Sequence, residues 1–250
     1  MPANELPGTT AVVTGASRGF GRAIATALSQ ADTQVVGVAR DRARLEDLQA
    51  QLGEAFTPVV ADATDPVLAG QLIDRYHPRT LVLNAGASPL LRPVHHHTWQ
   101  TFSRNWDVDV QHVFHWTREA LLRPLDPGTT VVTLSSGAAV SGSPLSGGYA
   151  GAKATIRFLT AYAKAESDRQ TLAIRFTSVL PRLTAGTDLG AAAVSAYAGQ
   201  QGVDPAAFLD GLGPTLSPEQ VGKTILDLIV DPSYDQEAYL LTSTGLAPIG

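Results

Sequence analysis

Short runs of aliphatic and β-branched residues alternate along this chain with longer stretches whose apolar residues recur at helical spacing. The short runs predict buried strands at residues 10–13, 34–39, 57–61, 81–83, 131–134, 172–179 and 239–242. Helical patterns lie between them, the longest over residues 99–122 and from Tyr149 onward. Strands that alternate with helices predict βαβ units, and hence an α/β fold with a doubly wound parallel sheet. We expect one domain over residues 1–250.

Several polar residues are placed to begin these helices. Asp41 and Thr98 are predicted N-caps, and Asp65-Pro66 reads as an N-cap followed by proline at the first helical position. Residues 217–220 (Ser-Pro-Glu-Gln) resemble a capping box that opens a helix through Leu228.

Composition excludes several classes of protein. Hydrophobic residues make up 44% of the chain and charged residues 16%, a composition that suits a globular protein with a sizeable core. The net charge of -5 does not indicate the basic surface that binds nucleic acid. The absence of cysteine excludes disulfides and thiol chemistry, and no apolar run is long enough to span a bilayer. The polar segment from Met1 to Thr10 is unlike a signal peptide, so we expect a cytoplasmic protein.

A glycine-rich turn follows the first predicted strand directly. The segment Thr14–Gly21 reads T-G-A-S-R-G-F-G, and a helical pattern begins immediately after it. Glycines let a backbone approach a pyrophosphate, and a helix N-terminus offers free N–H groups to it. The spacing G-x-x-x-G-x-G differs from the common G-x-G-x-x-G fingerprint.

Two arginines lie where this turn and the second strand would meet a nucleotide. Arg18 is inside the turn, and Arg40 follows the strand that ends at Ala39, where an NAD site would place a carboxylate. The nearby acid, Asp41, is better used as a helix cap. We therefore predict NADP(H) over NAD(H), the alternative being that both arginines are solvated.

A serine, a tyrosine and a lysine are set around the strand at 131–134. Ser136 follows that strand, and Tyr149 and Lys153 lie four residues apart, on one face of the predicted helix. A phenol with a pKa near ~10 is a poor acid or base at neutral pH, and a nearby cation lowers that pKa. The set therefore suits proton transfer to or from an alcohol or carbonyl oxygen. Chance occurrence of Y-x-x-x-K in a helix is the alternative for this motif alone.

Taken together, these motifs resemble the short-chain dehydrogenase/reductase family over nearly the whole chain. The resemblance implies a Rossmann-like fold and hydride transfer between NADP(H) and a carbonyl or alcohol substrate. It implies catalytic roles for Ser136, Tyr149, Lys153 and, at the position of a family asparagine, Asp109. The residues that it implies for the cofactor are Gly15, Ser17, Arg18, Gly19, Phe20, Gly21, Arg40, Asp62, Ala63, Asn84, Ala85, Gly86, Tyr149, Lys153, Pro181 and Thr184.

The chain departs from the family pattern in two places. Asp109 stands in the segment V-D-V, where its charge would tend to raise the lysine pKa and alter the proton relay. Pro181 is followed by Arg182 rather than glycine. We expect Arg182 to be solvated, the alternative being that it binds an acidic substrate. Thr184 or Thr187 is expected at the cofactor, and the sequence does not choose between them.

Residues 185–213, rich in alanine and glycine, are predicted to form a substrate-binding lid. His95, His96 and His97 do not share a helical face, so a solvated loop is favoured over a pocket rim or a metal site. His112 and His115 could pair on a metal, but a helix–helix or subunit contact is favoured. We predict no metal.

The leading hypothesis is an NADP(H)-dependent carbonyl reductase or alcohol dehydrogenase with Tyr149 as general acid or base, assembled as a homodimer or homotetramer. The rival is a catalytically weak or inactive dinucleotide-binding sensor or partner-binding protein. The intact serine–tyrosine–lysine set argues against the rival.

Overall fold

The computed structural model of the chain describes residues 6–249, so half of the segment from Met1 to Thr10, the one unlike a signal peptide, lies outside the described residues. Eight strands form one sheet in the order β3-β2-β1-β4-β5-β6-β7-β8. They are Thr10–Thr14 (β1), Gln34–Ala39 (β2), Phe56–Val60 (β3), Thr80–Leu83 (β4), Thr130–Leu134 (β5), Arg175–Pro181 (β6), Ala238–Thr242 (β7) and Gly245–Pro248 (β8). Strands β1 to β7 pair in parallel, and β8 runs antiparallel to β7. The predicted doubly wound, Rossmann-like sheet is confirmed.

Helices cover both faces of this sheet, as a parallel sheet with two apolar faces requires. They are Gly19–Gln30 (α1), Arg42–Leu52 (α2), Leu68–Tyr76 (α3), Trp99–Asn105 (α4), Gln111–Leu122 (α5), Ala138–Ser141 (α6), Tyr149–Arg169 (α7), Asp188–Gln201 (α8), Pro205–Leu212 (α9) and Pro218–Val230 (α10). Short 3-10 segments occur at Gly53–Ala55 and Val94–His96, and a π-helical segment at Trp106–Val110 joins α4 to α5. Within residues 6–249, no helix has both the length and the apolar composition of a membrane span.

The core consists of two apolar clusters, one on each face of the sheet. On the first face, residues of α1, α2 and α10, such as Ile24, Leu45 and Ile225, pack against β1 and β2. On the other face, α3, α5 and α7 supply residues such as Trp116 and Ile156. These layers fix the carboxyl ends of β1 to β6 along one edge, where open α/β sheets bind their ligands.

Three of the predicted helix caps are confirmed. The Asp41 side chain accepts the Arg44 N–H at 3.1 Å at the start of α2. Thr98 forms a reciprocal capping box with Thr101 at the start of α4. Ser217 does the same with Gln220 at the start of α10, where Pro218 occupies the first turn.

Other sequence-based boundaries were wrong. Helix α3 begins at Leu68, because the Asp65 side chain accepts the Val67 N–H at 2.9 Å in a tight turn instead of capping a helix at Pro66. Strand β3 lies one residue earlier than predicted. Strand β6 begins at Arg175 rather than Leu172, because Thr171 and Ala173 have positive φ angles of 59° and 56° that no strand residue adopts.

Two further features were not predicted. The helical stretch at 99–122 is interrupted by the π-helical turn Trp106–Val110, which includes Asp109. The antiparallel strand β8 was missed because its residues, G-L-A-P, carry little strand signal.

Candidate active site

A cleft of about 980 Å³ runs along the carboxyl edge of the sheet. The loops after β1, β2, β3, β4, β5 and β6 all contribute to its walls, and α8 and α9 border it from the other side. All the predicted catalytic residues and all but one of the predicted cofactor residues line this cleft. The exception, Gly21, lies behind the turn, where an added Cβ would collide with the Gly15 backbone.

In the glycine turn, the backbone lies very close to the start of the loop after β4. Gly15 and Gly19 have φ angles of 68° and 54°, which favour glycine, and a Cβ on Gly15 would stand 2.7 Å from Asn84 Nδ2. The Asn84 side chain donates to Thr14 O at 3.1 Å and to Gly15 O at 3.3 Å. Asn84 therefore holds the turn against the end of β4, and the N-terminus of α1 opens into the cleft beyond it.

Basic residues gather at the end of the cleft nearest β2. Arg18 contacts Asp188 at 3.0 Å, and Arg40 contacts Asp62 at 3.7 Å, all four side chains being at least half exposed. Arg44 also lines this end, 3.8 Å from Asp188. Arg44 was not predicted from the sequence, although its position in the first turn of the helix capped by Asp41 was a usable signal.

The tyrosine and the lysine begin α7, as predicted. Tyr149 is its first residue, and Lys153 Nζ lies 5.6 Å from the centroid of the Tyr149 ring. Lys153 is buried and donates to Leu134 O at 3.1 Å. Ser136 lies on the same cleft just after β5, where its hydroxyl accepts the Ala138 N–H at 3.2 Å.

Asp109 is ion-paired with Lys153, and both side chains are buried. Asp109 Oδ2 lies 3.2 Å from Lys153 Nζ, while Oδ1 accepts the Ala87 N–H at 2.7 Å. Asn105 donates to Ala87 O at 2.7 Å and approaches Asp109 Oδ1 at 3.4 Å, so it supports the same loop. Burial would lower the Lys153 pKa, but the charge of Asp109, assisted by Tyr149, offsets burial and holds that pKa above its usual value. The role of Asn105 was not visible in the sequence, because its partner Ala87 lies 18 positions away, in the loop after β4.

The segment after β6 closes the other end of the cleft. Pro181, Arg182, Thr184 and Thr187 all line it. The Thr184 hydroxyl is buried and bonded to Leu216 O, whereas Thr187 caps α8 by accepting the Gly190 N–H at 3.1 Å. The region predicted as a lid forms α8 and α9. There Tyr197 and Phe208 stack with ring centroids 6.3 Å apart, and the Tyr197 hydroxyl is bonded to Ser143.

The three consecutive histidines lie just before α4. His97 is held by Thr101 Oγ1 at 3.2 Å and by Arg92 O at 3.3 Å, while His95 and His96 are exposed. Among residues 6–249, no group of three or more side chains is arranged to bind a metal ion.

His112 is fully buried on α5 and lines the cleft, and the helix–helix or subunit contact stays a prediction for His115. Burial, helped by the charge of Lys153, lowers the His112 pKa to about 3, although the Ala85 backbone and Asp62 act in the opposite direction. Neither ring nitrogen has a hydrogen-bond partner among the described residues. His112 is therefore neutral at physiological pH.

Comparisons with known proteins agree with this arrangement. Residues 9–198 match the sequence model of the family described as short chain dehydrogenase. A probable NADP-dependent dehydrogenase of Haemophilus influenzae is 31% identical over 192 residues, which cover 72% of this chain and 73% of the relative. Serine 3-dehydrogenase of Rhizobium radiobacter is 34% identical over 183 residues, covering 69% and 70%.

A solved structure of NAD⁺-bound xylitol dehydrogenase matches the fold with a TM-score of 0.83 at 20% identity, over 96% of this chain and 99% of the other. At that identity the likeness concerns the fold alone. The family match over residues 9–198 is the stronger finding, and the chain belongs to the short-chain dehydrogenase/reductase family. It is therefore a member of a family of oxidoreductases that bind a nicotinamide dinucleotide.

Proposed function

We propose that this protein is an NADP(H)-dependent oxidoreductase that interconverts a carbonyl and an alcohol. The observation that carries the proposal is one cleft with two chemically distinct ends. Tyr149 and Lys153 lie at one end, with 5.6 Å between Nζ and the ring centroid. Three arginines lie at the other end.

The shape of the glycine turn fits a dinucleotide. Gly15 and Gly86 each pack so closely that a Cβ would stand within 3 Å of Asn84 or Asp109, leaving bare backbone on the cleft wall. The N-terminus of α1 faces the same space, where its free N–H groups favour a pyrophosphate. A bound nicotinamide would supply or accept the hydride, with Asp62 at the adenine and Thr184 or Thr187 at the carboxamide or the diphosphate as the expected contacts.

The preference for NADP(H) rests on the basic end of the cleft. A 2′-phosphate carries charge that Arg18, Arg40 and Arg44 could share, through hydrogen bonds stronger than those between neutral groups. Their present partners, Asp188 and Asp62, are exposed carboxylates whose ion pairs are worth little in water. The Haemophilus relative is named as NADP-dependent, whereas the xylitol dehydrogenase structure contains NAD⁺.

In the proposed reaction, Tyr149 gives its proton to the carbonyl oxygen during reduction and removes it during oxidation. Ser136 holds that oxygen with its hydroxyl. Lys153 places a positive charge beside the phenol and is held in turn by Leu134 O and Asp109. Asp109 balances part of that charge, so it tunes the proton transfer without touching the substrate.

The test is a coupled measurement of binding and turnover. NADPH and NADH are titrated into the protein, and each is then offered with a panel of ketones while the absorbance of the reduced nicotinamide is followed. We expect tighter binding of NADPH and its oxidation by at least one ketone. Binding of NADPH without turnover across a wide panel would favour the non-catalytic sensor instead.

The substrate-binding role of the lid over residues 185–213, the cytoplasmic location and the homodimeric or homotetrameric state remain predictions. The contact between Tyr197 and Ser143 supports the lid, because it joins α8 to the loop that follows Ser136.

A further inference from the structure

Arg182 stands immediately beside the residues that would hold the reacting oxygen. Its backbone N–H donates to Leu241 O at 3.0 Å, and the Gly137 N–H donates to Pro181 O at 2.9 Å. A Cβ on Gly137 would lie 3.6 Å from Arg182 Cα and 3.7 Å from its Cγ. The stem of the arginine therefore passes over Gly137, the neighbour of Ser136, and Arg182 is an exposed residue of the cleft wall.

The other charged groups of the cleft are already balanced. Each of its other basic residues has a carboxylate within 4 Å, and these pairs are Arg18–Asp188, Arg40–Asp62, Arg44–Asp41 and Lys153–Asp109. These four aspartates are also the carboxylates that line the cleft. Arg182 has neither an ion pair nor a side-chain hydrogen bond among residues 6–249. Its positive charge at the catalytic end of the cleft is thus not paired with a carboxylate of the described residues.

The surroundings of Arg182 suit a small polar molecule. The hydroxyls of Ser141, Ser143 and Tyr197 line the same end of the cleft, together with Leu183 and Ala193. A planar guanidinium presents paired donors that match a carboxylate bidentately. The local chemistry is that of a site for a polar, negatively charged substrate, and the Asp109 carboxylate at this end is paired with Lys153.

We propose that Arg182 anchors the carboxylate of the substrate, so that the protein acts on small oxo acids and the corresponding hydroxy acids. This inference rests on the proposed function, because the carbonyl must be held by Ser136 and Tyr149 while the carboxylate binds Arg182. Reduction then consumes one NADPH and one proton for each oxo acid converted into a hydroxy acid. Arg182 is a specificity residue, and the proton still comes from Tyr149.

Matched acids and esters test this directly. Pyruvate, acetoacetate and levulinate differ in the distance between carbonyl and carboxylate, and each has a methyl ester of similar shape without the charge. For the best-matched chain length we expect kcat/KM at least about tenfold higher for the acid, since charged hydrogen bonds are the strong ones. The preference should weaken as potassium chloride is added, because Arg182 is exposed.

Substitution then assigns the preference to the side chain. Arg182→Gln should lower kcat/KM for the acid by about ten- to hundredfold, mainly through KM, and leave the ester within about threefold. Arg182→Lys keeps the charge but not the paired donors, so its kcat/KM for the acid should lie between the values of the unmodified protein and of Arg182→Gln. Arg104→Gln, the same change at an exposed position outside the cleft, is the control and should alter neither.

Two outcomes separate this inference from the proposed function. NADPH-dependent reduction of neutral ketones or esters with no preference for any acid would overturn the carboxylate anchor alone. An equal loss on acid and ester in Arg182→Gln, with NADPH affinity unchanged, would also overturn it. Failure to oxidise NADPH with any carbonyl compound would overturn the proposed function and the anchor with it.

Discussion

The buried pair of Asp109 and Lys153 leads to a quantitative prediction about pH. Asp109 Oδ2 is 3.2 Å from Lys153 Nζ, and Nζ is 5.6 Å from the Tyr149 ring centroid, so the carboxylate is at most about 9 Å from the ring. Two unit charges at about 9 Å interact with roughly 2 kcal/mol at an effective dielectric constant of about 20. Divided by about 1.4 kcal/mol per unit, that energy corresponds to between 1 and 2 pH units.

Asp109→Asn removes this negative charge while nearly preserving the shape of the side chain. Ionisation of the phenol during alcohol oxidation would then face the lysine charge without an opposing carboxylate. We therefore expect the midpoint of the pH–rate profile for oxidation to move to lower pH by about 1 to 2 units. The direction follows because the removed charge is negative and the ionised phenol is negative as well.

The assay is the initial rate of oxidation of a good alcohol substrate, measured from pH 6 to 11 with saturating NADP⁺. Asp107→Asn is the matched control, since Asp107 lies in the same π-helical turn but is exposed. Its profile should stay within about 0.3 unit of the unmodified protein. An unshifted profile for Asp109→Asn, with the fold intact by circular dichroism, would refute the coupling between Asp109 and the phenol.

Three more outcomes are expected. Arg40→Asp should reduce the preference for NADPH over NADH by at least about tenfold. The control Arg42→Asp, at a position outside the cleft, should leave that preference unchanged. Equal affinities for NADPH and NADH in the unmodified protein would contradict the assignment of NADP(H) as the cofactor. His112 has a folded pKa of about 3 against about 6.5 unfolded, so the free energy of unfolding should fall by roughly 1.4 kcal/mol per unit as pH drops between these values. In His112→Leu the free energy of unfolding should therefore fall less steeply over this pH range than in the unmodified protein. An unaltered slope would contradict a buried, neutral His112. Gly15→Ala should destabilise the protein by about 1 to 3 kcal/mol in urea unfolding, because φ is 68°, and a melt like that of the parent would speak against a tight turn.

The elements that the sequence predicted well are those whose signal is local. Residues 34–39 (Q-V-V-G-V-A) carry a short valine-rich apolar run and form β2 with the predicted bounds. Tyr149 and Lys153 meet on one side of α7, because helical spacing alone dictates it. The capping box at Ser217 likewise needs no residue outside its own turn.

The features that were missed depend on the fold. The start of β6 was misjudged because Leu172 is apolar like a strand residue but packs against a core cluster from a turn. The contact of Arg18 with Asp188 joins residues 170 positions apart, which no spacing rule anticipates. Asn105 supports the loop that holds Asp109 by donating to Ala87 O, which is 18 positions away in the chain.

The central claim is that Tyr149 transfers the proton, and Tyr149→Phe tests it most directly. Loss of the hydroxyl leaves the ring to pack, so circular dichroism and NADPH affinity should barely change. Turnover of the best ketone should fall by about 10²- to 10⁴-fold, the usual contribution of general acid catalysis. Tyr162→Phe, the same change at an exposed position of α7, should retain full turnover. Near-normal turnover in Tyr149→Phe would contradict the account.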